Sequence, residues 1–285
     1  MTVHVPAAKE RRWHPNARLL AFLPMQIVEH GNGHPIVLIH GFGVDHRTIL
    51  PLDPVIEAHG DWRRLYVDLP GTAGTPIGDV SSSEDLVAVV RDALRERLGD
   101  EPFALVGNSY GGMVARRLAH DFGGQVRGLA VIAGVFIADR SARTVPEKIV
   151  LREQPELFDV DSAAAAQYAE EAVVQSRSGF DAFRRYLKPG LDSVDQNALE
   201  RIAQRYALDS QPEDAATEPF DRPTMILCGR HDHVVGYVDA WSRLENYPQA
   251  SFVLVEAAGH MVHLEQPELT AAAVTDWLDR MVAEG

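Results

Sequence analysis

Short, continuously apolar runs recur along this chain, with helical periodicities filling the gaps between them. The runs are Ile36–His40, Leu65–Asp68, Phe103–Val106, Gly128–Ala133, Thr224–Cys228 and Ser251–Val255. A strand that is apolar throughout must be covered on both faces, and strands that alternate with helices connect as parallel neighbours. The fold class expected is therefore α/β, a mostly parallel sheet with helices on both faces. A hairpin from Arg18–Leu23 and Met25–Glu29 is expected ahead of it, and residues 1–16 read as an extension. Gly31-Asn32-Gly33 reads as a hairpin turn and lacks the rest of a dinucleotide fingerprint.

Two helices carry clear punctuation. Ser81 and Glu84 suit a capping box ahead of Leu86, Val90, Leu94 and Leu98, with Gly99 as the stop. Gly111–Phe122 has Val114, Leu118 and Phe122 at helical spacing. The alternation of strands and helices then breaks between Ile137 and Thr217. That stretch of about 80 residues is too long for a plain crossover and has no strand pattern. Its expected helices are Ser162–Gln175 and Ser193–Leu208, the second opened by Ser193 and Gln196. A helical block inserted between two strands reads as a cap. The domains expected are a core over 1–136 and 218–285 and a helical cap over 137–217.

With 285 residues the chain can bury a sizeable core, and 46% apolar and 24% charged residues place it among ordinary globular proteins. The net charge of −14 argues against nucleic acid and anionic membrane surfaces as partners. The one cysteine, Cys228, lies in an apolar run and reads as a small buried hydrophobe. No apolar run approaches the ~20 residues that span a bilayer, and Met1–Arg12 lacks a signal-peptide pattern, so the expected location is cytoplasmic.

The chemistry begins at Gly107-Asn108-Ser109-Tyr110-Gly111. Composition alone gives about 0.07 chance occurrences of G-x-S-x-G, so the context matters more than the motif. Here it follows an apolar strand and opens a helix. A turn that sharp strains the serine backbone and tolerates little bulk two residues to either side, and it lifts the hydroxyl above the sheet. After the first apolar run comes His40-Gly41-Phe42-Gly43, a loop able to aim the Phe42 N–H at that serine. With the Tyr110 N–H it would hold the charge that develops on a carbonyl oxygen.

His260 follows the last strand in Ala257-Ala258-Gly259-His260, where an imidazole is free to act as base; His263 is the alternative. Asp232 follows the penultimate strand in Gly229-Arg230-His231-Asp232, where it can fix the imidazole tautomer; Asp139 is the competing acid. His231 and His233 read as shaping that loop. The histidines form no metal-ligand pattern, and neither a metal nor a cofactor is implied.

Together these blocks, with Asp68-Leu69-Pro70-Gly71 and Gly259-His260-Met261-Val262-His263-Leu264-Glu265-Gln266-Pro267, resemble the α/β-hydrolase superfamily over about residues 25–136 and 218–280. The resemblance implies a Ser109, His260, Asp232 triad with backbone donors at Phe42 and Tyr110. It implies a small-molecule substrate and leaves the oligomeric state open. Asp68, Glu265 and Pro267 read as local structure. Serine at the elbow argues against the epoxide hydrolases and haloalkane dehalogenases. Val106-Gly107-Asn108-Ser109 is similar to carbon–carbon hydrolases of ring-fission products. Those carry a Ser-Gly-Pro-Gly-like segment where this chain has Gly41-Phe42-Gly43-Val44, which favours the carboxylesterase and lactonase group. Three readings stand: a serine hydrolase of small esters or lactones, a carbon–carbon hydrolase of a diketone-like acid, and a small-molecule receptor on a hydrolase frame.

Overall fold

A computed structural model describes residues 25–283. The strand expected over Arg18–Leu23 and the extension over 1–16 lie outside them. Seven strands form one sheet: β1 (Ile27–His30), β2 (His34–Ile39), β3 (Trp62–Val67), β4 (Phe103–Asn108), β5 (Val126–Ile132), β6 (Thr224–Gly229) and β7 (Ala250–Val255). Their order is β1-β3-β2-β4-β5-β6-β7, with β1 antiparallel to β3 and every other pair parallel.

The tight hairpin read at Gly31-Asn32-Gly33 does not form. β1 pairs with β3, which lies between β1 and β2, so the turn arches over the start of β3. A β-carbon on Gly33 would lie 2.1 Å from the Asp61 carbonyl oxygen, and the φ of +101° there favours glycine as well. β3 also starts earlier than its apolar run. Arg64 hid the strand from a hydrophobic pattern, yet it is buried, its guanidinium donating to Asp53 at 3.0 Å.

Helices α1 (Ser83–Leu98) and α2 (Tyr110–Phe122) pack together on one face of the sheet. On the other face lies α5 (Pro267–Ala283), against Asp53–Glu57. The α1 cap sits one residue beyond the Ser81–Glu84 expectation: Ser82 Oγ accepts from Asp85 N–H, and Asp85 accepts from Ser81. Among the described residues, no helix is long and apolar enough to cross a membrane.

Between β5 and β6, residues 137–217 contribute no strand to the sheet. They hold α3 (Ser162–Glu171), a helical run from Arg177 to Ser193 with a π-turn at Phe183–Leu187, and α4 (Gln196–Ala203). Both long helices expected here are shorter. α3 stops at Glu171 because the amides of Val173 and Val174 leave the helix to donate to Glu265. α4 is capped by Asp195, not Ser193, and ends before the Arg205 and Tyr206 carbonyls, which accept from Ser83. The segment has its own apolar cluster of Leu157, Tyr168, Phe180 and Phe183, joined by Met261 and Leu264 from the stretch after β7.

One buried ion pair ties this segment to the sheet at both ends. Arg116 of α2 and Glu213 are both fully buried and 2.7 Å apart. Arg116 also donates to the Val135 carbonyl at 2.7 Å, and its guanidinium lies 4.0 Å from the centre of the Phe136 ring. One guanidinium thus meets the segment where it leaves the sheet and again near its return. Burial alone would raise the Glu213 pKa, but the Arg116 charge and hydrogen bonds hold it down at about 2, from an ordinary 4.5. This stabilisation is therefore complete above pH 4.5 and fades as the pH falls toward 2. Glu213→Ala strands a buried guanidinium and should lower stability by about 3–5 kcal/mol in denaturant unfolding at pH 7. A loss below about 1 kcal/mol would mean that water or another group relieves Arg116.

Candidate active site

Strands β2, β4, β6 and β7 all run the same way, so the loops leaving their carboxyl ends share one edge of the sheet. Four loops bring the candidate residues there.

The first is the turn from β4 into α2. Ser109 has φ +53° and ψ −118°, in a region that costs a non-glycine residue about 1–3 kcal/mol. Backbone bonds hold it: its N–H donates to Ile132, and its carbonyl accepts from Gly112 and Val135. Close approach explains the glycines. A β-carbon on Gly107 would lie 2.3 Å from the Gly111 carbonyl oxygen, and one on Gly111 2.2 Å from that of Ile39.

The second loop follows β2. His40 is buried, its Nδ1–H donating to the Gly41 carbonyl at 2.7 Å and its Nε2 accepting from Leu69 N–H at 3.0 Å. Burial lowers its pKa, so it stays neutral and shapes the loop. Asp68 accepts from both the backbone N–H and the ring of His46, fixing the far end of the loop. Gly41 packs against Ser109, and a β-carbon there would lie 3.2 Å from the serine Cβ. The N–H groups of Phe42 and Tyr110 have no acceptor among the described residues. The Phe42 ring packs 5.3 Å from both Tyr110 and Tyr206, so its side chain is also a core aromatic.

The third and fourth loops follow β6 and β7. Asp232 is fully buried; its Oδ1 accepts from the N–H groups of Val234 and Val235. Its Oδ2 accepts from His260 Nδ1–H at 2.9 Å, and Ser109 Oγ–H donates to His260 Nε2 at 3.0 Å. The three side chains are thus hydrogen-bonded in series. Burial by itself raises the Asp232 pKa and lowers that of His260. The attraction and hydrogen bond between them outweigh burial in both, leaving Asp232 lowered and His260 raised.

The alternatives take no part in this series. Asp139 is exposed and caps the short turn Arg140–Ala142 through Ser141. His263 is buried and donates from Nε2 to the Thr48 carbonyl at 3.1 Å. His231 sits 3.6 Å from Glu256 and makes no side-chain hydrogen bond to the series among the described residues.

A cavity of about 410 Å³ opens over Ser109 and His260, roofed by Phe183, Leu187 and Leu191 from the helical segment. Two residues behind the cavity wall brace the loops around it. Arg143 donates to the carbonyls of Ile137, Ala138 and Val234, bracing the Asp232 loop against the start of the segment. Glu265, read from sequence as local structure, accepts from Val173, Val174 and Gly259 at 2.7, 3.1 and 2.6 Å. It joins the helical segment to the residue that precedes His260. Only its spacing after His260 was visible in the sequence.

The sequence model of the alpha/beta hydrolase family matches residues 36–273, and the chain belongs to that family. Among its relatives is the pimeloyl-acyl-carrier-protein methyl ester esterase of Legionella pneumophila (strain Paris), 27% identical over 252 residues, 88% of this chain and 97% of that one. Another is the pyrrolizixenacetamide deacetylase of Xenorhabdus hominickii, 26% identical over 84% of this chain and 88% of that one. Among solved structures, an alpha/beta superfamily hydrolase from Oenococcus oeni PSU-1 matches with a TM-score of 0.85 at 25% identity, covering 90% of this chain and 96% of that one.

Glu265→Ala would leave the amides of Val173, Val174 and Gly259 without an acceptor, at about 1–3 kcal/mol for each that water cannot reach. We expect stability to fall by at least about 2 kcal/mol and hydrogen exchange to quicken at Val173, Val174 and Gly259. Unchanged protection at all three would show that the carboxylate does not hold the junction.

Proposed function

We propose that this protein is a serine hydrolase of small carboxylic esters or lactones working through an acyl-enzyme. The observation that carries the reading is the hydrogen-bonded series Ser109, His260, Asp232, opening into the cavity beside two backbone N–H groups without acceptors. Relatives named for methyl ester hydrolysis and for deacetylation support acyl transfer as the reaction type.

In this mechanism Ser109 Oγ attacks the acyl carbonyl as its proton passes to His260 Nε2. The carbonyl π electrons move onto oxygen, and the N–H groups of Phe42 and Tyr110 hold the resulting oxyanion. Asp232 keeps the Nδ1–H tautomer and stabilises the imidazolium. Collapse breaks the bond to the alkoxy group, which leaves with the Nε2 proton. A water then gives its proton to Nε2 and attacks the acyl-enzyme. The second collapse releases the acid and returns a proton to Ser109 Oγ. The segment 137–217 acts as a cap that closes the acyl cavity from above.

Ser109→Ala should retain the fold and lose about 10⁴-fold or more in ester turnover, and a fluorophosphonate should label Ser109. Asp232→Asn should lose on the order of 10⁴-fold in kcat, with Asp139→Asn close to wild type. Labelling of a different serine, or the reverse order of the two aspartate variants, would overturn the assignment.

The base must be neutral, and Asp232 raises its pKa above the ordinary 6.5. The acidic limb of kcat/KM should therefore bend above pH 6.5. In Asp232→Asn the residual activity should bend at lower pH, because the main charge that opposes burial is gone. A wild-type limb below pH 6 would count against this pairing.

A further inference from the structure

The backbone from Phe42 to Val44 carries one proposed oxyanion donor, yet it makes no hydrogen bond to another backbone group among the described residues. The chain is pinned on either side of it. Before it, His40 donates to the Gly41 carbonyl and accepts from Leu69 N–H. After it, Asp45 caps the turn His46–Leu52 by accepting from the N–H groups of Arg47 and Thr48. Between these anchors packing decides where the Phe42 N–H points.

Some of that packing comes from the elbow, where Gly41 meets Ser109. The rest comes from the helical segment. A β-carbon on Gly43 would lie 3.2 Å from Leu199 Cδ1, so Leu199 of α4 closes the space in front of Gly43. A β-carbon on Gly190, in the helical run before α4, would lie 2.9 Å from the Asp45 nitrogen and 3.1 Å from Val44 Cα. Tyr206, just beyond α4, meets the Phe42 ring edge-on at 5.3 Å. The segment therefore touches the loop at Phe42, at Gly43 and at Val44.

These contacts are themselves held in place. At the start of α4, Asp195 N–H donates to the Gly71 carbonyl at 3.2 Å, and a β-carbon on Gly71 would lie 2.7 Å from Ala198 Cβ. Past its end, the carbonyls of Arg205 and Tyr206 accept from Ser83 N–H and Oγ–H at 3.0 and 2.6 Å. The Tyr110 phenol donates to the same Ser83 Oγ at 2.7 Å. Leu199 thus lies between two fixed ends. Neither Leu199 nor Tyr206 lines the cavity over Ser109, so neither is placed to bind substrate there.

An oxyanion donor works when it already points at the place where charge develops, and an error of about 1 Å costs on the order of 10²-fold in rate. We propose that Leu199 and Tyr206 are positioning residues that clamp the Phe42 loop and aim its N–H at the oxyanion. The inference rests on the acyl-enzyme reading. It adds that the helical segment builds part of the reacting geometry as well as roofing the cavity.

The test pairs a nitrophenyl ester with the trifluoromethyl ketone of the same acyl chain. Ser109 Oγ adds to the ketone carbon, its proton passes to His260, and the former carbonyl oxygen becomes the anion that the donors hold. In Leu199→Ala and in Tyr206→Leu, kcat and ketone affinity should fall together by about 10- to 100-fold. Calorimetric binding of the intact ester, read in the Ser109→Ala background, should hardly change. Leu199→Met and Tyr206→Phe keep the packing and should keep both quantities near those of the unaltered protein. With nitrogen-labelled phenylalanine, the Phe42 N–H proton should move downfield when the ketone adds, and move less in Leu199→Ala. Full kcat and ketone affinity in both truncated variants would overturn the clamp and leave the acyl-enzyme reading standing. Equal loss of ester and ketone binding would overturn it too, by showing a general loosening. Should Tyr206→Leu fail to fold, Leu199→Ala decides alone, because Leu199 is only half-buried. A ketone that adds to Ser109 without moving the Phe42 proton removes that donor and the clamp with it. An unaltered protein that neither turns over the ester nor adds the ketone sinks the acyl-enzyme reading first.

Discussion

The arrangement depends on one steric constraint, the close approach of α2 to strands β2 and β4. That approach exists because Gly107 and Gly111 carry no β-carbon, and either substituent would fall well inside the van der Waals contact distance of a backbone oxygen. It forces Ser109 to φ +53° and points the chain straight into a helix. The strain of about 1–3 kcal/mol persists because Ile132, Val135 and Gly112 bond the backbone on both sides. Two consequences follow together. The hydroxyl stands above the sheet, and Tyr110 becomes the first residue of a helix, where an N–H has no intrahelical acceptor. The proposed nucleophile and one proposed oxyanion donor therefore come from the same turn.

Electrostatics then decides the protonation states. Burying Asp232 disfavours its charge, and burying His260 disfavours the imidazolium. Each opposes the shift seen in that residue; their mutual pairing is the largest opposing cause, helped by two amides on Asp232 Oδ1 and by the Glu171 charge near His260. His263, three residues away, is the internal control. It is the more deeply buried of the two and meets a carbonyl, not a carboxylate, and its pKa falls to about 4. The same side chain thus becomes a base candidate or a neutral acceptor according to the group opposite it.

The frame was legible in the sequence because its signals are local. Continuous apolar runs gave strands, glycines marked the elbow, and chain order placed Ser109, Asp232 and His260 at the ends of parallel strands. Asp232 could be preferred over Asp139 because Gly229 and the valines after it describe a turn held in the core. What stayed hidden depends mostly on side-chain pairing, much of it long-range. Arg64 concealed the start of β3 because its buried charge is satisfied by Asp53, 11 residues away. Ser82 took the cap from Ser81 through a side chain that bonds backward. Arg116 and Glu213 are separated by 97 residues, and no periodicity announces that they are buried together. The ends of α3 and α4 are set by Glu265 and Ser83, which lie on other elements.

These hidden contacts share a geometry that bears on how the helical segment works. Arg116 binds both of its ends to α2, the helix that begins at the elbow. Arg143 braces its start to the Asp232 loop, and Glu265 binds its middle to the residue before His260. The segment is therefore tethered separately to the serine, aspartate and histidine limbs of the site. Its cavity-lining residues Phe183, Leu187 and Leu191 are apolar, and volume-conserving changes among them cost little. The tethers are charged or multiply hydrogen-bonded and cannot shift without stranding buried polar groups. Selectivity can accordingly vary in the roof while the geometry around His260 stays fixed. Glu171 lies at the meeting of the two regimes, on the roof and two residues from the Glu265 junction.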